Sequence, residues 1–201
     1  LFFFTSGIAN VALAQQSRVD SVITLLQKSK TKTGIDTVQF LAATALLQKT
    51  TITDAQITQI EKAAEQLKNG MDETPYYVVK IYILQRLSVS DKYKAIAYGK
   101  LNLQKLENSK SSNAEPLKQG FLLRLRIPYR ESDKLQEGFE FFTEKLNEYK
   151  KTNDSIGLSN CYYVLSGFYR TIGLYEPAIY NMKKSVSYID TLNEKQIRFF
   201  N

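Results

Sequence analysis

The 201-residue chain contains no histidine, no tryptophan and one cysteine, Cys161. A disulfide within the chain is therefore impossible, and zinc sites built on Cys and His are excluded. The Ser–His and Cys–His pairs of nucleophilic catalysis lack a member as well. No glycine-rich phosphate cradle with its following lysine is present. Only 9 glycines and 4 prolines occur, too few for a disordered chain. Acidic residues never gather at metal-ligand spacing; Glu137, Glu140 and Glu144 read as a solvated helix face. No catalytic residue, cofactor or metal site is expected. An enzyme would need a converging carboxylate pair that the sequence does not display.

What is present is helical. Lysine and arginine number 27 against 20 acidic residues, a net charge of +7. The basic residues are scattered along helical patterns rather than clustered, so a nucleic-acid patch is not indicated and a mild preference for anionic partners is. The length suits one sizeable core or one elongated array.

Residues 1–16, LFFFTSGIANVALAQQ, carry no charge and include Ala12-Leu13-Ala14 before Gln15. This is the apolar region and A-x-A site of a secretory signal peptide without its basic start, so residues 1–14 are expected to direct export. The run is too short and too interrupted by Ser, Gly and Asn to span a membrane, and no cysteine follows it to carry a lipid anchor. The alternative is an ordinary apolar first helix.

From Ser17 the chain shows one helical pattern after another and no strand pattern. Val19, Val22, Ile23, Leu25 and Leu26 predict a short amphipathic helix ending before Thr33-Gly34. Thr37 to Lys49 follows. Thr53 with Gln56 forms a capping box for a helix running through Leu67 and stopping at Asn69-Gly70. Thr74-Pro75 is expected to cap and open the next helix, Asp91 its partner, and Asp133 a later one. Pro128 should kink the helix that begins at Leu117, or end it early. Residues 108–115, NSKSSNAE, read as the longest polar loop and the first site of proteolysis.

The organising stretch is Asn160–Tyr188. Tyr162, Leu165, Ser166 and Tyr169 make one helical stripe, and Met182, Ser185 and Tyr188 make a second. Between them lies a turn at Gly173-Leu174-Tyr175, with Pro177 in the first turn of the second helix. An aromatic, Leu with a small residue, Tyr, then Gly-Tyr at the turn and Ala in the next helix resembles the tetratricopeptide repeat (TPR). The resemblance is clearest over 159–192, fair over 118–151 and weak over 76–107. Leu125 matches Leu165, Tyr129 matches Tyr169, and the small residues Ala97, Gly138 and Ala178 recur about every 40 residues, longer than the usual repeat of about 34.

The resemblance implies an all-α fold, a TPR-like α-solenoid of antiparallel helical hairpins over residues 15–201, in which the first helix of each hairpin lines an inner surface. Its inward-exposed positions would be Val79, Tyr82, Arg86, Leu123, Ile127, Arg130, Tyr163 and Arg170. One arginine per hairpin among apolar and aromatic neighbours would suit an extended acidic peptide or a terminal carboxylate. The competing explanation is arginines solvated or paired with nearby acids. Cys161, within an apolar run, is expected to be a buried small hydrophobe. Asp20, Asp36, Asp154 and Asp190, each followed by Ser or Thr and an apolar residue, resemble O-glycosylation sites of some exported bacterial proteins, but fit better as helix caps.

An export signal followed by divergent repeats resembles the extracytoplasmic regions of bacterial sensor histidine kinases and related membrane regulators. That resemblance implies a non-catalytic protein- or peptide-binding sensor or scaffold region, periplasmic or on the outer face of the inner membrane. Its link to the membrane would lie beyond Asn201; Arg198-Phe199-Phe200 is expected to open a further helix, with the C-terminus read as a cut inside a longer protein. The alternative is a free-standing periplasmic adaptor for envelope complexes.

Overall fold

The computed structural model describes residues 3–32, 34–68 and 72–189, with side chains from Leu13 onward. Nine helices and no strand occur among these residues: α1 (Phe3–Ser29), α2 (Thr37–Gln48), α3 (Asp54–Glu65), α4 (Thr74–Ser90), α5 (Lys92–Glu107), α6 (Ala114–Arg130), α7 (Leu135–Thr152), α8 (Ser155–Thr171) and α9 (Tyr175–Ile189). The fold is all-α, as the sequence predicts. No described helix is long and apolar enough to cross a membrane. The chain forms two compact units, one of residues 1–90 with 109–114, the other of 91–108 with 115–201.

In the first unit α1 packs on α2 and α3, α3 on α4, and α2 on α4. Val19, Val22 and Leu26 of α1, Leu47 of α2, Ile60 and Ala64 of α3, and Val79, Ile83 and Leu84 of α4 form its core, all but excluded from solvent. Each large aliphatic chain so buried contributes about 1.5–3 kcal/mol. The first helix is longer than its amphipathic stripe: α1 continues unbroken through Ala14-Gln15. Gln15 Nε2 donates to the Thr51 carbonyl at 3.0 Å, and Gln56 Nε2 donates to Gln16 Oε1 at 2.9 Å. The Thr53–Gln56 capping box forms as expected, and Asp36 caps α2 by accepting from the Val38 and Gln39 amides. Asp20 lies inside α1 and caps nothing, while the stop at Asn69-Gly70 and the Asp190 site lie outside the described residues. α4 opens at Thr74-Pro75, but the side chain accepting from the Thr74 amide belongs to Asp72.

The polar connection between α5 and α6 is confined to 108–113, because α6 already begins at Ala114. It is also tied down: Asn113 Nδ2 donates to Thr74 Oγ1 at 2.9 Å, Ser109 Oγ to Glu73 Oε2 at 3.3 Å, and Ser111 is buried. Polar loop residues here satisfy partners rather than water.

In the second unit Asp91 caps α5 through the Lys94 amide, and Asp154 caps α8 through the amides of Ile156 and Gly157. Asp133 does not cap α7, whose N-cap is Lys134 without a side-chain bond; the Asp133 carboxylate accepts instead from the Tyr93 hydroxyl at 2.8 Å. Pro128 does not end α6 early. It is buried in the last turn, and the helix runs on to Arg130 because packing offsets the one lost backbone bond. The turn at Gly173 is as expected, with φ 77° and the Leu174 amide closing on the Tyr169 carbonyl.

Close approaches mark the helix crossings. A Cβ at Gly138 would lie 2.9 Å from Tyr129 Cβ and 3.0 Å from the Phe168 ring. The matching small residue on α5 is Gly99, whose absent Cβ would lie 2.6 Å from Leu125, and not Ala97, which is exposed. In α9 the buried face is Ala178, Asn181 and Ser185, and Ser159 Oγ donates to the Ser185 carbonyl at 3.0 Å. Met182 is not part of that face; it is 40% exposed.

Apart from Ser159–Ser185, which are 26 apart, the long-range hydrogen bonds among the described residues fall at separations of 36 to 41 residues. In the first unit they join residues 36, 40, 38 and 39 apart: Gln15–Thr51, Gln16–Gln56, Gln48–Arg86 and Thr74–Asn113. In the second they join Tyr93–Asp133, Lys100–Glu137, Glu107–Lys145, Gln119–Asn160 and Arg126–Tyr163, at 40, 37, 38, 41 and 37.

Candidate binding surface

The eight expected surface positions divide between the two units, three in the first and five in the second. Val79 is fully buried in the core of the first unit and cannot line a surface. Tyr82 is half-buried. Arg86 is committed locally: Nη1 donates to the carbonyl of Gln48, the last residue of α2, at 2.8 Å. A cation there meets an orphan carbonyl and the negative end of the helix dipole, so Arg86 clamps the end of α2; its Nε is buried without a hydrogen-bond partner. In the second unit Leu123 and Ile127 of α6 are half-buried, and Arg130 pairs with Glu131 at 2.7 Å.

Tyr163 and Arg170, by contrast, share a hollow of about 360 Å³ between α8 and α9, with Arg126 of α6 in its wall. The Arg126 guanidinium stands 4.9 Å from the centre of the Tyr163 ring, and Nη1 donates to the Tyr163 hydroxyl at 2.5 Å. Its Nε is buried with no hydrogen-bond partner. Tyr175, Ile179 and Met182 supply an apolar side, and no carboxylate lines the hollow among the described residues. Two guanidiniums facing an apolar wall with no acid to neutralise them can take a carboxylate attached to an apolar group. Sequence spacing assigned Ile127 and Arg130 to this surface and missed Arg126. The available signal was the separation of 37 from Tyr163, visible only once the register of contacts is known.

Two other hollows are less apt. One of about 480 Å³ holds Glu107, Glu115, Lys118, Lys145 and Glu148, but Lys145 already contacts Glu107 and Glu148 at 2.9 and 2.8 Å and Lys118 contacts Glu115 at 3.0 Å. A larger, open one of about 810 Å³ follows the polar side of α7, with Glu140, Glu144 and Lys151 beside Tyr169. Cys161 is buried as expected, and that burial pushes its thiol up to about 12, which leaves it unreactive at neutral pH. No group of three or more Cys, Asp or Glu able to hold a metal occurs among the described residues.

Asp154 carries a cost with its cap. Burial, with further repulsion from Glu115, raises its carboxyl above the usual range, although the Gly157 and Ile156 amides oppose this. A group that binds its proton more tightly folded than unfolded contributes most below its unfolded value near 3.8, and that contribution is lost as pH rises through the folded value. Asn caps about as well as Asp, so Asp154→Asn should be neutral to stabilising at pH 7, within about 1 kcal/mol. Urea midpoints for both proteins at pH 4 and 7 test this. A variant that is less stable at pH 7 than at pH 4, relative to the parent, would contradict the sign.

Compared with protein-family models, curated proteins and solved structures, the chain matches none.

Proposed function

We propose that the chain is a TPR-like α-solenoid acting as a non-catalytic, protein- or peptide-binding array, with a preference for acidic segments. The observation that carries this reading is the recurring separation of 36 to 41 residues between hydrogen-bonded helices in both units. Equivalent positions of successive hairpins meet at one repeat length when each hairpin buries its stripe against the next. The ligand preference rests on the hollow of Arg126, Tyr163 and Arg170, the unpaired Nε of Arg126, and the net charge of +7. We extend the proposal to export, on the Ala12-Leu13-Ala14 pattern, and to a place in the sensor or scaffold region of a bacterial signalling protein.

The test is binding of fluorescent peptides that end in an apolar residue and a free carboxylate, compared with their amidated forms. Charge-assisted hydrogen bonds contribute about 1.5–3 kcal/mol each, so Arg126→Ala with Arg170→Ala should weaken binding by about 100-fold or more. Arg86→Ala should lower stability and leave affinity unchanged. Equal binding of free and amidated peptides, or no loss in the double variant, would refute the hollow as the site.

A further inference from the structure

Three glycines inside helices of the second unit have a packing reason. A Cβ at Gly99, Gly138 or Gly157 would lie 2.6, 2.9 or 2.4 Å from a side chain of another helix. Gly167, inside α8, has no such neighbour: its absent Cβ would meet only Arg126 Cδ, at 4.0 Å. A helix interior favours alanine over glycine, so the packing does not account for the missing side chain here. The space it leaves belongs to the hollow of Arg126, Tyr163 and Arg170, which Gly167 lines.

Tyr163, Gly167 and Arg170 follow one another at spacings of four and three, so they share one face of α8. Arg126 reaches this face from α6, and Ile179 and Met182 line the hollow from α9. Those two side chains are 55% and 40% exposed, apolar surface that a ligand's apolar chain would take out of water. A carboxylate alone needs only the two guanidiniums, and alanine at position 167 would leave both in place. We propose that Gly167 is the specificity-determining residue of the hollow: its bare backbone lets a large terminal side chain of the ligand, of leucine or phenylalanine size, lie against α8. Selection by Gly167 rests on the hollow being the carboxylate site proposed above, and adds which terminal residue that site prefers.

Fluorescence anisotropy with the full chain tests it, using labelled acidic peptides that carry a free carboxylate and differ only in a final Phe, Leu or Gly. The parent should bind the Phe and Leu peptides at least about 10-fold more tightly than the Gly peptide. One methyl group in an apolar pocket changes affinity by about 10-fold or more, so Gly167→Ala should erase that preference while weakening the Gly peptide by less than about 3-fold. A thermal melt no lower than the parent's excludes unfolding as the cause. A parent without preference, a preference that survives in Gly167→Ala, or an equal loss for all three peptides would overturn the role of Gly167. Arg126→Ala with Arg170→Ala separates the two levels of inference. If that variant loses all three peptides while the parent shows no preference, the carboxylate site stands and the selection fails. If it binds all three as the parent does, or the parent binds none, the site fails and the selection with it.

Discussion

Phe168→Ala is expected to lower the unfolding free energy by about 4 kcal/mol. The ring is fully buried, with the Phe139 and Phe142 rings at 5.3 and 5.6 Å in edge-on geometry and the Gly138 backbone close beneath it. Truncation removes the transfer energy of an aromatic ring and leaves a cavity that two further rings border, and edge-to-face pairs add about 0.5–1.5 kcal/mol beyond area. At about 2–4 °C per kcal/mol for a chain of this size, the melting temperature should fall by about 8–16 °C. Phe168→Leu, which keeps most of the volume, should cost less than half as much. Circular-dichroism melts and urea titrations measure both. A loss under about 1 kcal/mol for the alanine variant would mean the ring does not fill the α7–α8 crossing.

The second large effect is a change of sign between two glycines of one helix. In α8, alanine is intrinsically better than glycine by about 1 kcal/mol. At Gly167 the new Cβ would meet only Arg126 Cδ at 4.0 Å, so Gly167→Ala should stabilise by up to about 1 kcal/mol. At Gly157 the Cβ would stand 2.4, 2.5 and 2.7 Å from atoms of the Tyr149 ring. Cγ, the ring atom nearest the Tyr149 backbone, is among them, so the overlap is not one that movement of the ring's far end relieves. Overpacking costs about 1–3 kcal/mol, and an overlap this deep lies at the upper end, so the net effect of Gly157→Ala should be a loss of about 2 kcal/mol. Tyr149→Ala removes all three of those atoms, and in that background Gly157→Ala should become neutral or stabilising. If the two substitutions simply add, the contact is not the cause.

Some of this was legible in the residues because it is local. Asp36, Asp91 and Asp154 cap the helices that follow them, the Thr53–Gln56 box closes, and Gly173 supplies the positive φ of its turn. A cap needs only an oxygen two or three residues from an unpaired amide, and a turn only a residue without a Cβ. Asp133 shows the limit of the rule: a capping residue in a capping place, diverted by a hydroxyl from another helix. The hollow was half legible, since Tyr163 and Arg170 were named but their partners on α6 and α9 were not.

The sequence by itself determined that the chain is helical, where most of its helices begin, and which classes of chemistry it lacks. Those properties depend on periodicity, on side chains within four residues of one another, and on residue types that are missing outright. Only the tertiary structure decided that Val79 is core, that Arg86 closes the end of α2, that Gly99 rather than Ala97 admits Leu125, and that Met182 faces outward. Each of these depends on the rotation of one helix against another, and a turn of 100° per residue lets a shift of one position carry a side chain from the core to the surface.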